Sequence, residues 1–215
     1  MSVSKLFWQD PYATTLEARI QTLDGSVITL DRTIFFAFSG GQASDSGTIG
    51  GRHVLEARKD GLEIFYTLDS AAGLAAGDSV LVAIDGARRL RLMRLHFAAE
   101  LVLELVNQLF DRPEKLGANI SADKARLDFS WSGNITSILP LLSEKLDLMI
   151  AADHEIVSSF RDRAAELRTW KIDGFATVDC GGTHPRRTGE VGSVHLKRGK
   201  GLGKDKERIE ITLCD

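Results

Sequence analysis

The chain changes character at Asp85-Gly-Ala-Arg-Arg-Leu-Arg-Leu-Met-Arg-Leu-His-Phe-Ala-Ala-Glu100. Asp85 is a residue type that caps helices, and beyond it Leu92, Leu95, Ala99, Val102, Val106 and Leu109 recur at intervals of three and four. That spacing predicts a long amphipathic helix. It should stop near Asp111, because Pro113 disfavours helical geometry in the residue before it.

Upstream of this helix the pattern is that of short strands. Leu16–Ile20 and Ser26–Leu30 flank Asp24-Gly25, a strong hairpin signal, and further turns at Asp60-Gly61 and Gly77-Asp78 separate His53–Ala57, Leu62–Leu68 and Ser79–Ile84. This spacing suits a small antiparallel barrel or sandwich. Downstream, Ala125–Trp131 alternates, with Leu127, Phe129 and Trp131 on one face. A second helix is expected over about Ile138–Ala151, with Ser137 as its cap and Pro140 in its first turn. Short strands should follow at His154–Phe160, Gly174–Val178, Gly192–Lys197 and Arg208–Leu213, the last two facing each other across the Gly- and Lys-rich loop 198–206. The expected class is α+β: residues 1–85 form a β-barrel-like domain, and residues 86–215 an α+β domain with a long helix against an antiparallel sheet.

The chain has 215 residues, 43% of them hydrophobic and 27% charged, which excludes collagen-like and wholly disordered architectures. No apolar run reaches about 18 residues, and the first ten residues lack a signal-peptide pattern. A cytoplasmic protein with no membrane partner is expected. Its two cysteines, Cys180 and Cys214, are expected to be reduced thiols. Net charge is −3, yet Arg186–Arg208 holds eight basic against three acidic residues, a local +5. Arg88, Arg89, Arg91 and Arg94 form a second basic cluster. Two such clusters flanking one candidate site raise the odds of a phosphate-bearing partner.

On the helix, His96 and Glu100 are four apart and share a face, so both can reach one ion. Far more specific is Asp179-Cys-Gly-Gly-Thr-His-Pro185. Its glycines allow a turn tight enough for Cys180 and His184 to converge, leaving Thr183 and backbone N–H groups for a substrate. One thiolate, two imidazoles and a carboxylate make an acceptable Zn²⁺ ligand set. A third segment, Ile34-Phe-Phe-Ala-Phe-Ser-Gly-Gly-Gln-Ala-Ser-Asp-Ser-Gly47, reads equally as a plain loop or as a binding loop in which Gly40 and Gly41 allow close approach and Gln42 offers both donor and acceptor.

Together the three segments resemble the alanyl-tRNA editing proteins of the AlaX type and the editing domain of alanyl-tRNA synthetase. That family shows Gly-Gly-Gly-Gln followed by Asp-x-Gly, then His-x-x-x-His on a helix, then Cys-Gly-Gly-Thr-His followed by Thr-Gly-Glu and an aliphatic-Gly pair. The counterparts here, in the same order, are Ser39-Gly-Gly-Gln42 with Asp45 and Gly47, His96-Phe-Ala-Ala-Glu100, and Cys180-Gly-Gly-Thr-His184 with Thr188-Gly-Glu-Val-Gly192.

The resemblance implies an N-terminal β-barrel joined to a zinc-binding α+β editing domain. It also implies an ATP-independent hydrolase that frees a wrongly attached amino acid, serine or glycine, from alanine tRNA. One Zn²⁺ per chain would be held by His96, Glu100, Cys180 and His184. Gln42, Thr183 and the backbone from Gly181 would orient the ester and stabilise its oxyanion, with Glu100 the one candidate base in the motif. Gly40, Gly41, Arg94, Lys197, Arg198 and Lys200 would contact the tRNA. No obligate protein partner is implied.

Two departures stand out. Ser39 replaces the first glycine, and Glu100 replaces the second histidine. Ligation by Glu100 would neutralise the site and make the metal a poorer Lewis acid, whereas a Glu100 outside the ligand set leaves a position open. Two rivals remain: a catalytically silent tRNA-binding module, and a zinc hydrolase of small esters or amides.

Overall fold

The computed structural model describes residues 2–201 and 203–214. Leu202, in the expected Gly- and Lys-rich loop, lies outside the described residues. The protein is α+β with mainly antiparallel strands, in two compact units, Met1–Leu90 and Arg91–Asp215. The division falls inside the long helix.

In the first unit, β1 (Ser4–Lys5) pairs in parallel with β4 (Arg32–Thr33). The remaining strands are β2 (Thr15–Asp24), β3 (Val27–Leu30), β5 (Gly47–Ile49), β6 (Arg52–Asp60), β7 (Glu63–Leu68) and β8 (Ser79–Ile84). They pair antiparallel in the order β2-β3-β7-β6-β5-β8 and close on themselves. Two long strands make closure possible. β2 pairs with β8 through Thr15–Arg19 and with β3 through Ile20–Asp24, with a register shift between Ile20 and Thr22. β6 likewise passes from β5 to β7 and shifts register between Val54 and Glu56. Such bulges bend a strand so that it can serve two partners. Local alternation marks only part of β2 and β6, and it does not mark β5, which is three residues long. Alternation is clean on β7 and β8, where Ile64, Tyr66, Leu68, Val80, Val82 and Ile84 face the core.

Arg89 belongs to this core rather than to a basic surface, and is 2% exposed. Its Nε donates to Asp45 Oδ1 at 2.9 Å, Nη1 to Pro11 O at 3.0 Å, and Nη2 both to Ile34 O at 2.6 Å and to Asp45 Oδ2. Asp45 Oδ2 also accepts from Phe36 N at 2.7 Å. The pair therefore holds segment 34–47 in place. Removing one partner of a buried, satisfied ion pair strands the other, and typically costs about 3–5 kcal/mol. Asp45→Ala is accordingly expected to lower the urea midpoint by that equivalent, and an unchanged midpoint would show that the pair contributes little.

Helix α1 runs Gly86–Leu109, with Asp85 Oδ1 accepting from Arg88 N at 2.9 Å. It is not simply amphipathic. Leu92, Met93, Leu95, Phe97, Ala98, Leu101 and Val102 are all fully buried, so apolar contacts surround its middle turns. The second unit adds β9 (Lys115–Ile120), β10 (Ala125–Ser130), α2 (Leu139–Ala151), β11 (Val157–Asp162), β12 (Leu167–Ile172), β13 (Ala176–Asp179), β14 (Val194–Arg198) and β15 (Lys206–Leu213). They form two antiparallel sheets, β14-β15-β10-β9 and β11-β12-β13. On β10, Leu127 and Phe129 are buried as their alternation requires, whereas Trp131 lies just past the strand. α2 follows a 3₁₀ turn, Ile135–Ile138, whose cap is Asn134, with Thr136 N donating to Asn134 Oδ1 at 2.9 Å. Ser137 is not the cap. Its hydroxyl donates back to Asn134 O at 3.0 Å instead. Among the described residues, no helix is long and apolar enough to cross a membrane.

Candidate metal centre

Three chain segments of the second unit converge. α1 supplies His96 and Glu100, β12 supplies Trp170, and the loop leaving β13 supplies Cys180 and His184. Cys180 N donates to Arg168 O at 2.9 Å, so the first residue of the loop is still held by the sheet. Phe97 fixes the loop's far end, its ring 5.2 Å from Trp170 and 5.3 Å from His184, edge on in both cases.

Cys180 Sγ lies 3.3 Å from His184 Nε2 and 3.5 Å from His96 Nε2, and the three ligand atoms all lie within 4.8 Å of one another. For Zn–S near 2.3 Å and Zn–N near 2.0–2.1 Å, a tetrahedral S···N edge measures about 3.5 Å. The donor set therefore fits a tetrahedral cation that favours sulfur and nitrogen. His184 Nδ1 is buried with no hydrogen-bond partner among the described residues, so the ring is held through its Nε2 contact with Cys180.

Glu100, expected as a fourth ligand, stands beside this trio and is not grouped with it. Its Oε1 is 3.3 Å from His96 Nε2, and its Oε2 accepts from the Trp170 indole N–H at 3.0 Å. Burial opposes charge on all of these groups, yet their mutual attraction outweighs it. The Cys180 thiolate and the Glu100 carboxylate hold His96 at about 10. His96, His184 and Trp170 bring Glu100 down to about 2, and the two histidines bring Cys180 to about 6. These values belong to the metal-free protein, in which His96 keeps a proton that ligation through Nε2 displaces.

The other expected site residues are more dispersed. Thr183 is fully buried, and Gly181 is the exposed member of its loop. In the first unit, Ser39 and Gln42 exchange backbone hydrogen bonds at 3.3 and 3.0 Å across Gly40 and Gly41. Both glycines have positive φ, which a tight turn of this kind requires. Gln42 itself is fully buried. Gly47 is demanded by close packing, since a Cβ there would lie 2.1 Å from Ala83 O.

The basic clusters are largely engaged within the protein. Besides the buried Arg89, Arg88 donates twice to Ser44 O, Arg91 to Ala122 O and Arg94 Nε to Val191 O at 2.9 Å. On β14, Lys197 pairs with Glu210 at 3.4 Å, and Arg198 grips Glu207 through two bonds of 2.6 and 2.5 Å. Lys200 is exposed and makes no ion pair among the described residues. Trp170 and Arg168 escape a reading of the sequence because strand β12 itself is not signalled there.

Residues 168–210, which carry the Cys-Gly-Gly-Thr-His motif, match the family described as the second additional domain of threonyl and alanyl tRNA synthetases. The chain as a whole is similar to alanyl-tRNA editing proteins of the AlaX type, the resemblance that its motifs carry. It is 27% identical to the alanyl-tRNA editing protein AlaX-M of Pyrococcus horikoshii, covering 97% of both chains. It is 29% identical to AlaX-M of Methanosarcina barkeri, covering 98% of both. The alanine–tRNA ligase of Methanococcus aeolicus is 29% identical over 96% of this chain, which spans 25% of that ligase.

Proposed function

We propose that this protein is a cytoplasmic trans-editing hydrolase that deacylates mischarged alanine tRNA, releasing serine or glycine. The observation carrying this reading is the convergence of His96, Cys180 and His184 on one point, in a chain similar end to end to AlaX-M proteins. Residues 86–215 act as the editing domain. Residues 1–85 form the barrel-like domain, which offers the exposed backbone at Gly40 to the RNA.

The trio would hold one Zn²⁺, which when bound supplies a Lewis acid and an anchor for the acceptor end. The chain's own groups do the rest. Backbone N–H groups from Gly181 to Thr183 stabilise the oxyanion that develops as water adds to the ester carbonyl. Glu100, anchored by Trp170 and outside the trio, takes a proton from that water and returns it to the ribose oxygen as the C–O bond breaks, so that the amino acid and the ribose hydroxyl are released.

The test is deacylation of Ser-, Gly- and Ala-charged alanine tRNA beside the free amino-acid esters. Release from Ser- or Gly-tRNA with Ala-tRNA spared is the expected result. Hydrolysis of the free esters alone would point to a small-molecule hydrolase, and tRNA binding without turnover to a silent module.

Association with tRNA should weaken as salt rises, because each neutralised phosphate releases condensed counterions. Since Lys197 and Arg198 already have carboxylate partners, Lys200→Glu with Lys204→Glu should flatten the logarithmic salt slope by about one per lost phosphate contact. Charge reversal at Lys197 and Arg198 should change it less. The reverse ranking in filter binding would shift the RNA surface onto β14.

A further inference from the structure

The sheet β11-β12-β13 carries a cross-strand row that ends at Cys180 and whose other members the editing mechanism leaves without a role. Phe160 on β11 pairs with Arg168 on β12, and Arg168 O accepts the N–H of Cys180. Phe160, Arg168 and Cys180 thus stand side by side, two strand spacings or about 10 Å from end to end. The row links one edge of the sheet to the metal-ligand trio.

The register of β11 shifts between Phe160 and Asp162, a bulge of the kind that re-aims side chains. Asp162 Oδ1 then accepts from Ala164 N at 2.9 Å and Ala165 N at 3.0 Å, which fixes the turn that carries Arg163. The Arg163 guanidinium lies 4.5 Å from the centre of the Phe160 ring, and that of Arg168 lies 5.3 Å from it.

The three arginines here differ in what they already bind. Arg161 pairs with Asp179 at 2.6 Å, and Arg168 is buried with Nη1 3.5 Å from Gly182 O. Arg163 is exposed, and among the described residues no carboxylate pairs with it. Its charge is therefore uncompensated, and stacking on Phe160 holds its plane in place.

We propose that Arg163 binds a backbone phosphate of the RNA strand whose 3′ end is worked on at the Cys180 loop. The inference rests on the proposed editing function and adds a contact to it. A planar guanidinium with parallel N–H donors matches phosphate geometry. Its face can also receive an unstacked base, and single-stranded RNA ends offer both partners. The row from Phe160 to Cys180, about 10 Å long, is a span that the last two nucleotides of a strand can cover.

The test is steady-state deacylation of seryl-tRNA for alanine by metal-replete wild type, Arg163→Ala, Arg163→Glu and Arg163→Lys, with metal content measured on each. Arg163→Ala should raise KM about tenfold, the scale of one lost charged hydrogen bond, and leave kcat and metal content unchanged. Arg163→Glu should raise KM further and reduce the salt slope by about one, while Arg163→Lys keeps part of the affinity. Unchanged KM and salt slope beside an active wild type would overturn the proposal while leaving the editing function intact. A fall in kcat together with metal content would also overturn it, by showing that Arg163 supports the trio. A wild type that neither binds nor deacylates charged tRNA would overturn both proposals.

Discussion

Replacing Cys180 with alanine is expected to strip the metal and the activity together. The thiolate is the only anion among the three convergent atoms, and both imidazole nitrogens face it at 3.3 and 3.5 Å. Without it, two neutral imidazoles must hold a dication, a set too small for the tetrahedral sites that zinc favours. Losing even a residue that merely supports a ligand typically costs 10–100-fold in metal affinity or activity, so loss of a ligand should exceed about 10²-fold. Wild-type protein is expected to carry about one zinc per chain, and the alanine variant little, by elemental analysis on the samples assayed for deacylation. Full occupancy in the variant would show that the metal binds elsewhere.

Cys180 can be singled out from the sequence alone because Cys-Gly-Gly-Thr-His is a local arrangement. Its two glycines and four-residue separation let thiol and imidazole meet whatever surrounds them, and they do meet, at 3.3 Å. His96 is legible too, because the four-residue spacing puts it on one helical face with Glu100. Local pattern does not supply strand β12, whose residues Leu167–Ile172 show alternating burial but place a charged side chain, Arg168, on the buried face beside Trp170 and Ile172. With β12 go Trp170, the partner of Glu100, and Arg168, the middle member of the row ending at Cys180.

Charge is the least legible property. Arg88, Arg89, Arg91 and Arg94 look like a basic face in sequence, yet each is engaged with a carboxylate or a carbonyl distant along the chain. Asp45 lies 44 residues from Arg89, and nothing local announces such a pairing. The antiparallel strands of the first unit show the same limit from the other side. The turns at Gly25, Gly61 and Gly77 can be read from dipeptides, whereas the bulges that let β2 and β6 each serve two neighbours depend on pairing across the sheet.

Glu100 is where the family pattern and this chain part, and its substitution should be the most informative. The carboxylate sits 3.3 Å from His96 Nε2 and is tethered by the Trp170 indole at 3.0 Å, while the convergent trio does not include it. If it accepts a proton from the attacking water, Glu100→Gln keeps the tether and the shape but loses the basic oxygen. Zinc should then stay at the wild-type level, while the deacylation rate falls by roughly 10²–10⁴-fold, the usual scale for an acid–base group. Glu100→His restores the residue type usual in the family, and under the same role it too should keep zinc and lose rate. A carboxylate bound directly to the metal would give the opposite pattern. The glutamine variant would lose metal and rate together, while the histidine variant, placing an imidazole at the same helical position, would retain both in large part. Zinc content and single-turnover rates of the two variants therefore separate the roles, and wild-type values for both in either variant would remove Glu100 from the chemistry altogether.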